Sequence, residues 1–565
     1  MRGERPVLIL GLDGATWTIL DRWIADGTLP NLGRLRARGA WGPLASTIPP
    51  LTPPAWASFL TGKNPGRHGV FHFAQIDART SDIAAGTPSI VDARSIESPT
   101  LWDVLGHAGR RIVTINTPMS YPPRPVNGVM VTCLLTPPDA AAFTWPVELT
   151  PFLRDGGYRI DLDRFIDEKP FARDEQGDKP KRVVEPSVEL VDEFAAMEET
   201  RAQTALDLMR TEAWDVFTVV FTAPDRMGHY MWSYHLPEDL DGSPEAAAIQ
   251  AAIQAFYRRL DGQLGELIEE AGPDATVVVL SDHGMGPTFR RHVHWNDWLH
   301  GRGLVAVAGG SGGSPDAWLL RLRLPRDRIG RLVRRIPFLR RSGVVERARR
   351  ARTATIDLDR SQAYYVRLFD PVGGIRVNAR GAEREALIER LLAEVRTAPD
   401  PATGRPVVTR AGRREEFVDG PFADRLPDII LVMDERLGSS DRLSSYSALV
   451  TDRPTIGDPG THWIDGVFVA AGPEIATRAE PLEGATIVDV APTVLHLAGV
   501  PVPEGMDGRV ISDALTPAAA ARPVERSPDG ERWPSDAEAT FVVAGQTAED
   551  GDQVRERLRA LGYVE

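Results

Sequence analysis

Residues 7–14 read Val-Leu-Ile-Leu-Gly-Leu-Asp-Gly, and residues 276–284 read Thr-Val-Val-Val-Leu-Ser-Asp-His-Gly. Each begins as an aliphatic run too short for a buried helix, with the composition of a strand covered on both faces. Each run then breaks on an acidic residue. Further runs of this kind occupy residues 111–115, 129–133 and 216–221. Helical patterns lie between them at 17–25, 30–39 (Pro first, Gly last), 198–211 and 246–271. Strands interleaved with long helices predict an α/β fold with a mainly parallel sheet flanked by helices.

The chain has 565 residues, too many for one ordinary domain. After Gly303 the pattern changes. Gly309-Gly310-Ser311-Gly312-Gly313-Ser314-Pro315 reads as a linker, and an Arg-dense block runs on to Arg352. Residues 357–425 have the mixed pattern of a small α+β unit. Sheet-like runs return at 428–432 and 466–471, followed by a helical stretch at 489–498. The expected division is therefore a first part of the catalytic core at 1–304 and an Arg-rich linker with a cap-like insertion at 305–425. A second part of the core follows at 426–515, then a loose linker and C-terminal helix at 516–565.

Composition narrows the function classes. The chain is 42% hydrophobic and 25% charged, which excludes a disordered or fibrous protein, and its net charge of −14 argues against sequence-specific nucleic-acid binding. A single cysteine, Cys133, excludes an intrachain disulfide framework and a thiolate zinc cluster. The apolar run at 7–12 is too short for a signal peptide, and no uncharged stretch approaches the ~18–20 residues of a membrane helix. A soluble cytoplasmic protein is expected. The oligomeric state is not encoded in any recognisable pattern.

Asp and His recur beside the strand runs. Asp13 follows the first. Asp225 follows the 216–221 run, with His229 one helical turn on and on the same face. Asp282 and His283 follow the 276–280 run, and His462 precedes the 466–471 run in Gly-Thr-His-Trp. Ligands of open parallel sheets bind at the carboxyl ends of the strands, so the first three segments should converge there. Singly, an Asp after a strand is a common helix N-cap and a lone His a common core residue. Together, three carboxylates and three imidazoles form a mixed oxygen and nitrogen set suited to zinc or manganese. Spacing alone does not separate one ion from two. Thr52, in Pro49-Pro50-Leu51-Thr52-Pro53-Pro54, stands at a Pro-rich turn before a helix. It reads as a helix cap or as a nucleophile activated by a helix N-terminus and a metal, and local sequence favours the cap.

The ordered set changes that balance. Asp13, Thr52, Thr61-Gly62-Lys63-Asn64-Pro65-Gly66-Arg67-His68-Gly69, Asp225-x-x-x-His229, Asp282-His283-Gly284 and Gly460-Thr461-His462 together resemble the alkaline phosphatase superfamily. Within it the chain resembles the type I phosphodiesterase/nucleotide pyrophosphatase branch, and more closely its bacterial and archaeal cytoplasmic phosphohydrolase/phosphomutase-like members. The segments from Asp489 to His496, from Met506 to Arg509, and Leu558-x-x-Leu561-Gly562-Tyr563 add to the likeness. It covers roughly residues 5–300 and 426–515. It implies an alkaline-phosphatase-like core interrupted by the smaller α+β insertion, and two divalent ions, zinc foremost and manganese second. One ion would be held by Asp13, Asp282, His283 and the Thr52 oxygen, the other by Asp225, His229 and His462. Thr52 would be the catalytic nucleophile of a phosphodiesterase- or nucleotide-pyrophosphatase-type hydrolase, passing through phosphothreonine at a two-metal site. The substrate would be a phosphorylated small molecule or a phosphodiester.

The same nucleophile would serve a phosphotransferase or phosphomutase, and a catalytically silent anion-binding metalloprotein is a third reading. One departure stands out. The branch has an Asn after its His-Gly motif that holds a phosphoryl oxygen; the matching position is Phe73, beside His72, so either Lys63, Arg290 or Arg291 replaces that donor or the substrate is not a typical nucleotide diester. Sulfatase chemistry is disfavoured, since Cys133 lies outside the context it needs. The block between Arg321 and Arg352 holds thirteen Arg against Asp327 and Glu346, a local charge of +11. It reads as a solvated basic helix or as a contact for anionic lipid or a polyanion.

Overall fold

The computed structural model describes residues 2–76, 90–162, 171–173, 180–182, 184–308, 356–434, 436–443, 448–452, 459–533, 541, 553–555 and 557–558. The linker from Gly309, the Arg321 to Arg352 block and the Leu561-Gly562-Tyr563 motif lie outside the described residues.

Eight strands form the central sheet. In chain order they are β1 (Arg2–Leu12), β2 (Ala40–Ala45), β3 (Ile112–Ile115), β4 (Gly128–Val131), β5 (Thr144–Trp145), β6 (Trp214–Phe221), β7 (Thr276–Leu280) and β8 (Asp465–Ala471). Their order across the sheet is β2-β8-β7-β1-β6-β3-β4-β5. The five from β7 to β4 run parallel to their neighbours, while β8 is antiparallel to both β7 and β2, and β5 to β4. β3, β7 and the 216–221 part of β6 are buried at every position, as expected of strands covered on both faces.

Four helices matter for the site: α1 (Thr52–Thr61), α2 (Val188–Thr211), α3 (Ala223–Met231) and α4 (Pro244–Ala271). α4 starts where its sequence says it should: Ser243 accepts the Ala246 N–H and Pro244 takes the first turn. Its apolar stripe includes Ile249, Ile253, Phe256, Leu260, Leu264 and Leu267, at helical spacing. Asp261 interrupts the stripe to accept the Asn31 and Leu32 N–H groups at 2.9 and 2.8 Å, satisfying the first turn of the helix Pro30–Ala37.

The insertion folds around a four-stranded antiparallel sheet, ordered Ala363–Phe369, Val372–Val377, Ile429–Met433 and Val408–Arg413. The helix Gly381–Arg396 buries Leu387, Ile388, Leu391, Leu392 and Val395. The run at 428–432, expected among the strands of the core's second part, pairs here instead. Both sheets accept a short aliphatic strand equally well, and only pairing chooses between them. A small cluster of Phe71, Val372, Ile430 and Val432, with Ile48, Leu368 and Ile464 packed on it, joins the insertion to the core beside the segments of Thr52 and His462. Among the described residues no helix is long and apolar enough to cross a membrane.

Candidate active site

Register places the acidic residues. Leu12 stands opposite Phe221 and Gly11 opposite Leu280, so three adjacent parallel strands end level with one another. The chain leaves the sheet at one edge three times, carrying Asp13, then Asp225 on the first turn of α3, then Asp282 and His283. His462 precedes β8, and because β8 is antiparallel its start lies on that same edge. The strand Gly460–Trp463 then pairs with Gly284–Pro287, setting His462 opposite Met285 and against His283. The two imidazoles stack with centroids 3.6 Å apart.

Two clusters result. In the first, Asp225 Oδ1 lies 3.4 Å from His229 Nε2 and 3.3 Å from His462 Nε2, and the two nitrogens are 2.8 Å apart. Ligands at about 2.0–2.1 Å from a tetrahedral zinc stand about 3.3–3.4 Å apart, so this triangle is close to one face of such a site. In the second, His283 Nε2 has Asp282 Oδ2 at 3.2 Å, Thr52 Oγ1 at 3.3 Å and Asp13 Oδ1 at 3.8 Å. His283 also reaches the first cluster: its ligand atom, with those of Asp225 and His462, fits within 4.8 Å.

Each imidazole is turned the same way. His229 Nδ1 faces the Gly460 carbonyl at 3.3 Å, His283 Nδ1 the Gly284 carbonyl at 3.1 Å, and His462 Nδ1 the Pro50 carbonyl at 2.9 Å. A carbonyl only accepts, so Nδ1 donates there and every Nε2 is turned to the cluster, the orientation a metal-binding histidine needs. Two carboxylates are similarly half-committed. Asp13 Oδ2 accepts from Trp56 Nε1 at 3.3 Å and Asp282 Oδ1 from the Gly14 N–H at 3.3 Å. Asp13 Oδ1 and Asp282 Oδ2 remain buried without a hydrogen-bond donor. Unsatisfied buried carboxylate oxygens beside imidazole nitrogens are stable only when a cation or protons join them. The donor set thus fits divalent metal ions. Left to themselves, burial and then the neighbouring carboxylates raise the Asp13 carboxyl well above its ordinary range, and burial and then Asp225 push Asp282 up to about 8. Burial lowers the His283 imidazole and takes His462 to about 3, keeping both neutral.

Thr52 is the first residue of α1, and Leu51 occupies the capping position. Its hydroxyl caps nothing in the helix and turns to the second cluster instead, so the simpler of the two sequence readings fails. Trp56, one turn on, sends its N–H to Asp13; the i, i+4 spacing from Thr52 was the available signal for it. Two further neighbours had no sequence signal. Arg226 lies buried against Asp225, with Nη1 3.2 Å from Oδ2. Phe369, from the insertion, sets its ring 4.8 Å from that of His462.

The other candidates stand elsewhere. Phe73 is buried in the core. Lys63 Nζ pairs with Asp529 at 3.2 Å, and Arg291 is bidentate to Asp400 at 2.6 Å on each arm, so neither is a spare phosphoryl donor; Arg290 is exposed. His68 is buried at its turn, accepting the Val70 N–H and meeting Ser58 Oγ at 2.9 Å. His107, His235, His300 and His496 each face a backbone carbonyl outside the two clusters.

A family model described as type I phosphodiesterase/nucleotide pyrophosphatase matches residues 7–452, a span that holds Asp13, Thr52, Asp225, His229, Asp282 and His283 and ends before His462. No curated protein matches the chain. Similar solved structures include phosphonoacetate hydrolase from Sinorhizobium meliloti 1021 in complex with phosphonoformate. It is 18% identical, covering 88% of this chain and 96% of that one, with a TM-score of 0.51. The same enzyme with phosphonoacetate gives a TM-score of 0.52 at the same identity and coverage. Human ectonucleotide pyrophosphatase/phosphodiesterase 5 is 13% identical, covering 91% of this chain and 100% of that one, with a TM-score of 0.47. At 18% identity the likeness to the hydrolase bears on the fold: a large, mainly parallel sheet flanked by helices.

Proposed function

The chain belongs to the type I phosphodiesterase/nucleotide pyrophosphatase family of the alkaline phosphatase superfamily, a metal-dependent phosphoric ester hydrolase, and from that premise we propose that Thr52 is its nucleophile. The reaction is hydrolysis of a phosphodiester or pyrophosphate through a phosphothreonine. The observation that carries it is the Thr52 hydroxyl, which leaves its own helix terminus uncapped and stands 3.3 Å from His283 Nε2 at the second cluster.

Asp13, Asp282, His283 and the Thr52 oxygen would hold one divalent ion, and Asp225, His229 and His462 the other, with zinc the first choice and manganese the second. Bound there, the ions supply positive charge beside the phosphoryl group and lower the pKa of the threonine hydroxyl and of attacking water. Thr52 begins α1, so the partial positive charge of the helix N-terminus also favours its alkoxide. Thr52 releases its proton to solvent and Oγ1 attacks phosphorus in line. The bond from phosphorus to the leaving oxygen breaks, and the leaving group departs, from a diester as an alcohol that has taken up a proton and from a pyrophosphate as a phosphate. Water then adds to the phosphothreonine, the phosphorus–Oγ1 bond breaks, and the Thr52 hydroxyl is restored. Within the described part of the insertion, the strand Ala363–Phe369 would shape the substrate side, since Phe369 already lies against His462.

The test is turnover of bis(p-nitrophenyl) phosphate and p-nitrophenyl phosphate by zinc- and manganese-loaded protein, beside Thr52→Ala. The variant should keep its metal and lose roughly 10³-fold or more in kcat, the scale seen when a nucleophile is removed. Acid quench during turnover should trap phosphate on Thr52 from the monoester and p-nitrophenyl phosphate on Thr52 from the diester. Activity retained in Thr52→Ala, or phosphate trapped elsewhere, overturns the assignment; product formed only with an added alcohol acceptor makes the protein a transferase.

A further inference from the structure

Arg226 is 2% exposed, and both ends of its guanidinium face carboxylates. Nη1 lies 3.2 Å from Asp225 Oδ2 and Nη2 3.3 Å from Asp161 Oδ2. The Asp161 side chain is itself buried, and its Oδ1 accepts the Leu162 N–H at 2.8 Å. Asp225 is thereby divided between two tasks. Oδ2 is engaged by Arg226, while Oδ1 is the corner of the triangle with His229 and His462. A guanidinium is a rigid planar fork, and bridging one oxygen of each carboxylate fixes where those two oxygens stand relative to each other in a way that a point charge on a flexible stem does not.

The two clusters differ here. In the second, the carboxylates are held by neutral donors, the Trp56 indole N–H and the Gly14 backbone N–H. In the first, His229 and His462 are held by backbone carbonyls, and the single carboxylate is held by a cation that is itself held by a second carboxylate. Groups that orient metal ligands commonly change metal affinity by about 10–100-fold when removed.

We propose that Arg226, braced by Asp161, is a positioning residue for the cation at the Asp225–His229–His462 cluster, keeping Asp225 a one-oxygen ligand aimed along Oδ1. The proposal rests on the two-ion reading above for the identity of that cluster. It adds that Asp161, more than sixty residues from every ligand in sequence, helps set the affinity of one ion and leaves the other alone. Asp161 also lines a cavity of about 340 Å³, so the near-isosteric Asp161→Asn changes charge and hydrogen bonding without crowding the packing.

Zinc titration of the metal-free full chain against a chromophoric chelator tests this on wild type, Arg226→Met, Arg226→Lys and Asp161→Asn. Wild type should bind two equivalents. In Arg226→Met one equivalent should weaken by about 10–100-fold and the other stay within about threefold. Arg226→Lys should restore little, since one ammonium cannot span both carboxylates in the fork geometry, and Asp161→Asn should weaken the same equivalent to a smaller degree. Cobalt(II)-substituted Arg226→Met should show altered visible absorption from one of its two ions. A mere charge effect predicts the reverse: removing a cation tightens zinc binding and Arg226→Lys is silent. Tighter or unchanged binding in Arg226→Met overturns the proposal. If that variant fails to fold by circular dichroism, Asp161→Asn decides, and wild-type affinity in it is equally fatal. Fewer than two equivalents in wild type sinks the two-ion reading itself, whereas two equivalents with indifferent variants sinks only the role of Arg226.

Discussion

Gly14 joins the sheet to both ligand clusters, and Gly14→Ala measures how tightly. Its φ is +68°, and a Cβ added there would stand 2.9 Å from Asp225 Cα, 3.0 Å from Asp225 Cβ and 3.1 Å from Oδ1. Two costs follow. A left-handed backbone costs a non-glycine residue about 1–2 kcal/mol, of which about 0.4–1 kcal/mol is offset because alanine also restricts the unfolded chain. Forcing a methyl into filled space adds about 1–3 kcal/mol. Gly27 separates the two contributions, since its φ is +81° and nothing lies within 4 Å of its notional Cβ. Taking the middle of each range, Gly27→Ala should therefore destabilise by about 0.8 kcal/mol and Gly14→Ala by about 2.8 kcal/mol. Relief of the clash shifts Asp225 by a few tenths of an ångström relative to His229 and His462, and the Gly14 N–H relative to Asp282 Oδ1. Zinc affinity should thus fall in Gly14→Ala and stay unchanged in Gly27→Ala. Urea unfolding followed by tryptophan fluorescence gives the stabilities, and chelator competition gives the zinc affinity. Equal stabilities for the two variants, with wild-type zinc binding in Gly14→Ala, would refute the packing and the ligand placement together.

Two other outcomes follow from the protonation of buried groups. With Asp282 pushed up to about 8 and Asp13 raised, the metal-free site holds protons at pH 7 that a cation must displace. Calorimetry of zinc binding in buffers of different ionisation enthalpy should report about one or more protons released at pH 7 and fewer at pH 9; identical heats in every buffer contradict it. Away from the site, burial raises the Asp103 carboxyl, but Arg124 at 2.7 Å and the N–H groups of Trp533 and Thr100 hold it below its ordinary value. A depressed carboxyl gives stability that is full above the unfolded pKa of about 3.9 and is lost as pH falls through the lower, folded value. Asp103→Asn should cost about 3–5 kcal/mol near neutrality by leaving Arg124 buried and unpaired, and should flatten the fall in thermal midpoint below about pH 4. A variant as acid-sensitive as wild type would show that the pair contributes nothing.

Local pattern carried the sheet. The strand β7 coincides with its expected 276–280 span, and the helix Trp17–Ala25 with its expected 17–25. Both were legible because burial on two faces and helical periodicity are written into consecutive residues. Asp13, Asp225, Asp282 and His283 were legible as candidates for the same reason: each stands just past a strand, and parallel strands end together. The rest depended on pairings that no local window contains. The 428–432 run would suit either sheet, and hydrogen bonding to Val372–Val377 and Val408–Arg413 made the choice. His462 belongs at the site because β8 runs antiparallel to β7, a direction its sequence does not announce.

By itself the sequence determined an α/β fold, an inventory of oxygen and nitrogen donors, and a threonine at a helix start. The tertiary structure decided that the threonine is no cap, that every Nε2 turns inward, and that Arg226 and Phe369 stand beside the donors. Thr52 meets a histidine 231 residues away, and His229 one 233 residues away. Composition and periodicity are properties of neighbours along the chain. The side of a carboxylate that stays exposed to a cation is set by whichever distant group occupies the other side.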